Sequence, residues 1–98
     1  MNPEELFPEI EMTNEKVDAL FYRGLIWSTG RPFAWAKLGK EMAQKKVTQD
    51  EAKQLIILEL RFNKEPRIDL LNRLANYVHR IDRNKVMSKI ETLIQNKN

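Results

Sequence analysis

Cysteine is absent from the 98 residues. That absence excludes disulfides, thiolate zinc sites and cysteine nucleophiles together, and it fits a reducing compartment. Histidine is reduced to His79, with no second histidine at helical spacing to complete a metal pair, so a partly exposed structural role is the reading. Carboxylates are scattered, and no pair is marked out as a general acid and base. Gly39-Lys40 invites comparison with a phosphate loop, but that motif needs glycine at position 34 and a hydroxyl at 41, where the chain has Ala34 and Glu41. Long apolar runs are missing too. The longest, LIIL at 55–58, is far short of a membrane span. The opening MNPEELFPEIEM lacks the basic and apolar segments of a secretory signal. These absences lead us to expect a soluble, cytoplasmic protein that is not an enzyme and uses no metal or cofactor.

What is present describes one globular domain. The apolar fraction is 42% and the charged fraction 32%, both ordinary for a folded chain of this size. The net charge of +3 is unevenly spread. Residues 1–20 carry six acids and one lysine, a charge of 1 − 6 = −5; the rest carry 16 bases and 8 acids, or +8. An acidic head on a basic body affects partner choice more than fold, unless the head simply lies against its own domain. Pro3 and Pro8 disfavour helix, so residues 1–12 read as an extended acidic arm from which Leu6, Phe7 and Ile10 can pack down. Residues 13–98 read as a single all-α domain, a compact bundle of four to five helices.

Periodicity and caps place those helices. The first is expected over 14–28, capped by Thr13, with Val17, Leu20, Phe21, Leu25 and Trp27 inward and Gly24 weakening its middle. Gly30 suits a helix end and Pro32 a helix start, which puts a second helix over 32–45. The two tryptophans, Trp27 and Trp35, then flank a helix–helix corner. We expect both rings to be largely buried there as stability elements; a ligand-binding loop is the alternative. Thr48 and Glu51 form a capping box for a helix over 49–63. Its apolar residues Ala52, Leu55, Ile56, Ile57, Leu58, Leu60 and Phe62 cover more than one stripe, so it should be central. Pro66 can open a helix over 66–81 with Leu70 or Leu71, Leu74, Val78 and Ile81 inward. Asp82 can cap a last helix over 83–95 packed through Val86, Ile90, Leu93 and Ile94. One kinked helix over 66–95 is the other possibility.

Function must then lie on a surface. Asn72, Arg73, Asn76, Arg80 and Arg83 follow one another at spacings of one, three, four and three, along the side opposite the leucines. Arginine forks suit carboxylates and phosphates, and asparagines add uncharged donors and acceptors. Only Asp69 and Asp82 offset the strip locally, while Lys85 and Lys89 extend it. A solvated helix back is the plain alternative. A helix-turn-helix over 33–61 is disfavoured, because Glu51 falls where the pair should lock and the second helix is too apolar for a major groove. Membrane-surface binding by ALFYRGLIW at 19–27 would use residues needed to bury the first helix. The leading expectation is therefore a protein-binding module using Arg73, Asn76, Arg80 and Arg83, with exposed edges of the Trp27–Trp35 corner as an aromatic anchor. DNA or RNA binding through the same basic surface is the runner-up, and an assembly subunit the third class.

In size, in its lack of cysteine and catalytic groups, and in the stretch LELRFNKEPRIDLLNRLANYVHRIDRNKV (58–86), the chain resembles the small accessory proteins of temperate phages. Among these it is similar in character to the lambdoid anti-RecBCD modulators. The resemblance implies a non-enzymatic regulator, for example an inhibitor, that docks on a host nuclease–helicase such as RecBCD in DNA recombination. The KEPR turn raises a separate expectation. An exposed Glu65-Pro66 bond could populate two isomers or be bound by a prolyl isomerase, unless Pro66 merely starts a helix.

Overall fold

The computed structural model describes residues 3–27, 40, 44 and 47–96. Among them a 3-10 turn (Pro3–Glu5) precedes four α-helices: α1 (Asn14–Tyr22), α2 (Gln49–Phe62), α3 (Ile68–Ala75) and α4 (Arg80–Gln95). No strand occurs among the described residues, and the fold is the all-α bundle expected. The Cα radius of gyration is 12.5 Å. A single folded chain of this length is expected near ~12.6 Å, which leaves room for one core only.

α2 is the centre of that core. Its capping box forms as expected: Thr48 Oγ1 accepts from the Glu51 N–H at 3.1 Å, and the Thr48 N–H donates to Glu51 Oε1 at 2.9 Å. Leu55, Ile56, Ile57 and Leu58 are all fully buried. Four consecutive positions span nearly a full turn, so apolar neighbours must surround the helix. Burying each such side chain stabilises by about 1.5–3 kcal/mol. Phe62, expected on the inward set, is instead among the exposed residues at the helix end.

The arm is not extended. Its 3-10 turn packs on α2, and Leu6, Phe7 and Ile10 are buried in the same apolar cluster as the helices. Glu9 reaches Lys53 of α2 at 3.1 Å. The acidic head therefore does lie against its own domain, and apolar contact as well as charge holds it there.

α1 stops six residues earlier than its periodicity suggests. Gly24 has φ 79°, a left-handed conformation that glycine adopts without a Cβ penalty. Gly24 N–H donates to the Phe21 carbonyl at 2.9 Å and Leu25 N–H to the Leu20 carbonyl at 3.0 Å, the paired bonds of a Schellman ending. Leu20 and Leu25, both buried, supply its apolar contact. The sharp turn leaves Trp27 51% exposed, not sealed as expected. Arg23 at this end pairs with Glu51 through Nε at 3.1 Å, tying the end of α1 to the start of α2. Of the second helix expected over 32–45 only residues 40 and 44 are described, where the Gln44 N–H donates to the Lys40 carbonyl at 3.1 Å; Trp35 and the roles of Gly30 and Pro32 lie outside the described residues.

Residues 66–95 form two helices, but the break falls earlier than Asp82. Arg67, not Pro66, is the N-cap of α3, and Pro66 is buried. Glu65 is exposed, so with Pro66 buried the bond between them is less open than the prolyl isomerase expectation supposed. α3 ends at Ala75, where Tyr77 N–H bonds to the Leu74 carbonyl at 3.0 Å and tightens the last turn. Leu70, Leu71, Leu74 and Val78 face inward as expected, whereas Ile81 is 64% exposed. The reason is phase: the inward row of α4 is Asp82, Val86, Ile90 and Leu93, spaced by four and three. Asp82 is thus a core-facing residue of α4, and His79 caps the helix instead, its Nδ1 accepting from the Ile81 N–H at 3.4 Å.

Candidate functional site

The break between α3 and α4 reshapes the polar strip. Asn72 and Arg73 stay on α3, Asn76 is its exposed C-cap, Arg80 is the first residue of α4, and Arg83 lies one turn further on. The five no longer line one continuous helix face. They gather around the corner where α3 meets α4.

Three arginines there stand in different electrostatic relations to the helices. Arg73 occupies the last turn of α3, where a cation favours the negative end of the helix dipole. Arg83 folds back across the corner, and its Nε donates to the Ala75 carbonyl at 3.3 Å, a second donor beside the Val78 N–H on that oxygen at the end of α3. Arg80 does neither. It is exposed at the N-terminal end of α4, where the dipole disfavours a cation, and its guanidinium has no partner among the described residues.

The acid that should balance this corner faces away from it. Asp82 lies 3.0 Å from Lys53 of α2 and 3.9 Å from Lys85, and its side chain is only 15% exposed. Lys53 bridges Asp82 and Glu9 with its ammonium 5.7 Å from the Phe7 ring centre, so arm, α2 and α4 meet on one charge. The hydrogen bond to Asp82 raises the Lys53 value above the ordinary lysine range, with Glu9 adding to it against the opposing effect of burial. The other local acid, Asp69, sits in the first turn of α3, at the far end of that helix. Exposed Ile81, Met87 and Ile94 accompany the arginines along α4.

The corner between α2 and α3 holds charges that sequence reasoning missed. Glu59 is 1% exposed, the sole buried charged residue among those described. Its carboxylate accepts from Arg67 Nη2 at 2.9 Å, Arg67 Nε at 3.1 Å, the Arg67 backbone N–H at 2.8 Å and Asn63 Nδ2 at 3.1 Å. Burial pushes the Glu59 carboxyl up, but the Arg67 hydrogen bonds and charge, with Asn63, outweigh it and hold the value below the usual carboxylate range. The one sequence clue was a glutamate between Leu58 and Leu60 on the greasiest helix, eight residues before an arginine. This pair is structural. Pro66, proposed from the sequence as a contact residue, lies beside it and lines a surface groove, and Trp35 lies outside the described residues.

Among the described residues, no group of three or more His, Asp or Glu could hold a metal ion, and no helix is long and apolar enough to cross a membrane. Every buried side-chain nitrogen and oxygen among them has a hydrogen-bond partner. The arrangement with chemical capacity left over is the arginine corner, which offers guanidinium donors beside exposed aliphatic carbon. Set beside protein families, characterised proteins and solved structures, the chain matches none of them.

Proposed function

We propose that this protein is a non-enzymatic binding module that regulates a larger host enzyme complex by protein contact, acting in the cytoplasm through the α3–α4 corner. Arg80 carries the reading: its charge is set against the dipole of its own helix, with no partner among the described residues and with Asp82 turned inward to Lys53. A cation that costs the fold a little is accounted for by a contact outside the fold. The flanking Ile81 and Met87 favour an acidic protein surface over a phosphate backbone, because buried aliphatic carbon stabilises a protein interface and gains little on phosphates. The resemblance to phage modulators makes a host nuclease–helicase of the RecBCD type, and with it DNA recombination, the first partner to try.

The test combines Arg73→Glu, Arg80→Glu and Arg83→Glu in one variant and compares its binding to purified RecBCD with that of the wild type. Wild-type binding that disappears on charge reversal supports the proposal; binding indifferent to the three changes removes the corner from it. Generic duplex DNA titrated at several salt concentrations decides the runner-up. Steeply salt-dependent affinity at roughly low micromolar or tighter would make nucleic acid the target.

A further inference from the structure

A second surface lies away from the arginine corner. The turn from α2 into α3 and the carboxyl-terminal half of α4 enclose an open groove of two adjoining clefts, each about 320 Å³, which share Lys64, Pro66 and Leu93. Leu93 lies on α4 about 20 Å of helix beyond Arg80. Pro3 and Leu60 complete an apolar floor with Pro66 and Leu93, and Lys89 stands on the wall. Lys89 is half-buried and Lys64 exposed, and neither has an ion-pair partner among the described residues. Half-buried Lys53, Glu51 and Asp82 do have such partners elsewhere in the fold. An ammonium at the edge of an apolar floor, with no counter-charge among the described residues, can take an arriving carboxylate in a charge-assisted hydrogen bond.

The molecule already holds one segment of matching chemistry. Its own arm sets Phe7 into the core while Glu9 pairs with Lys53 at 3.1 Å beside that ring. The groove repeats the elements of that arrangement, an apolar floor with lysines at its edge, and leaves them unoccupied by the described chain. We propose that this groove docks an acidic peptide segment of a partner protein, with an apolar side chain on the Leu60–Pro66–Leu93 floor and carboxylates on Lys64 and Lys89. Glu65 lines one end and repels acids there, which directs the carboxylates toward Lys89. The floor is aliphatic and offers no ring for base stacking, which disfavours single-stranded nucleic acid.

The experiment uses the full chain and a fluorescein-labelled peptide alternating glutamate and leucine, followed by anisotropy and by backbone amide shifts. Saturable binding with shifts confined to residues 3–5, 60–66 and 89–96 is expected. Lys64→Glu with Lys89→Glu should weaken it by about tenfold or more, and Lys89→Gln alone by less. Lys16→Glu, a charge reversal on α1, should leave the affinity unchanged. Circular dichroism checks that the variants fold; should the double variant unfold, Lys89→Gln carries the test. The inference is overturned by shifts elsewhere, by indifference to the lysine changes, or by equal binding of a glutamate-only peptide. Dodecanoate taking the groove where the peptide does not would also overturn it, making the occupant a small amphiphile.

Discussion

Between α2 and α3, Arg67 is closed on a buried glutamate; between α3 and α4, Arg80 stands in water while the acid two residues on, Asp82, points to a lysine on another helix. The same residue types thus serve two ends of one short helix in different ways. At the first corner the chain must leave a central helix whose sides are all packed, and a carboxylate caught there survives only with its full set of donors. At the second corner the backbone makes its own tight turn, and His79 and Arg83 satisfy the ends without drawing in Arg80. The contrast teaches that an arginine-rich corner signals partner contact only after the charges needed to build the corner have been subtracted.

The contrast breaks most visibly at Arg67. Arg67→Ala should lose about 3–5 kcal/mol in urea unfolding, because it leaves the Glu59 carboxylate buried without its guanidinium. Removing both charges together, with Glu59→Leu and Arg67→Met, should recover most of that loss. A loss below about 1 kcal/mol for Arg67→Ala would mean that the corner is held by packing alone.

A smaller effect should follow pH. The folded-state value of Glu59 is depressed, so its contribution is complete above the ordinary 4.5 and is lost as pH falls through the folded value. The stability difference between wild type and Arg67→Ala should therefore shrink as the medium is acidified through and below the ordinary carboxylate range. A difference that stays constant into acid would show that the pair does not set the Glu59 protonation state.

The smallest effect has the opposite sign. Arg80→Glu should stabilise the fold by about 0.3–1 kcal/mol in thermal melts, because it puts an anion at the amino end of α4. It should also weaken partner binding. A variant that melts earlier than wild type would assign Arg80 to the fold and erase the difference between the two corners.

Much of the architecture was legible in the chain. The Thr48–Glu51 box and the dense apolar run after it identified α2 and its central place, because capping and burial pattern are local properties. The ends of other helices were less readable. Gly24 looked like a weak point within a helix and is its terminus, since only the packing of Leu20 against Leu25 selects one glycine over another. Ile81 continued the three-four rhythm of α3, yet the chain breaks before it. The true phase of α4 passes through a charged residue, Asp82, which a search for apolar spacing passes over. The candidate site was half visible: the arginines were found, but their division into Arg83 for the fold and Arg80 for the surface was not.

Sequence alone determined an all-helical chain without cysteine, with a single histidine and a basic body, because composition and short-range spacing decide those matters. Tertiary structure decided which charges are spent. Lys53 meets Glu9 and Asp82 from 44 and 29 positions away, and Arg67 closes on Glu59 across a turn. Coulomb attraction and desolvation depend on distance through space, and that distance exists only once the helices have packed.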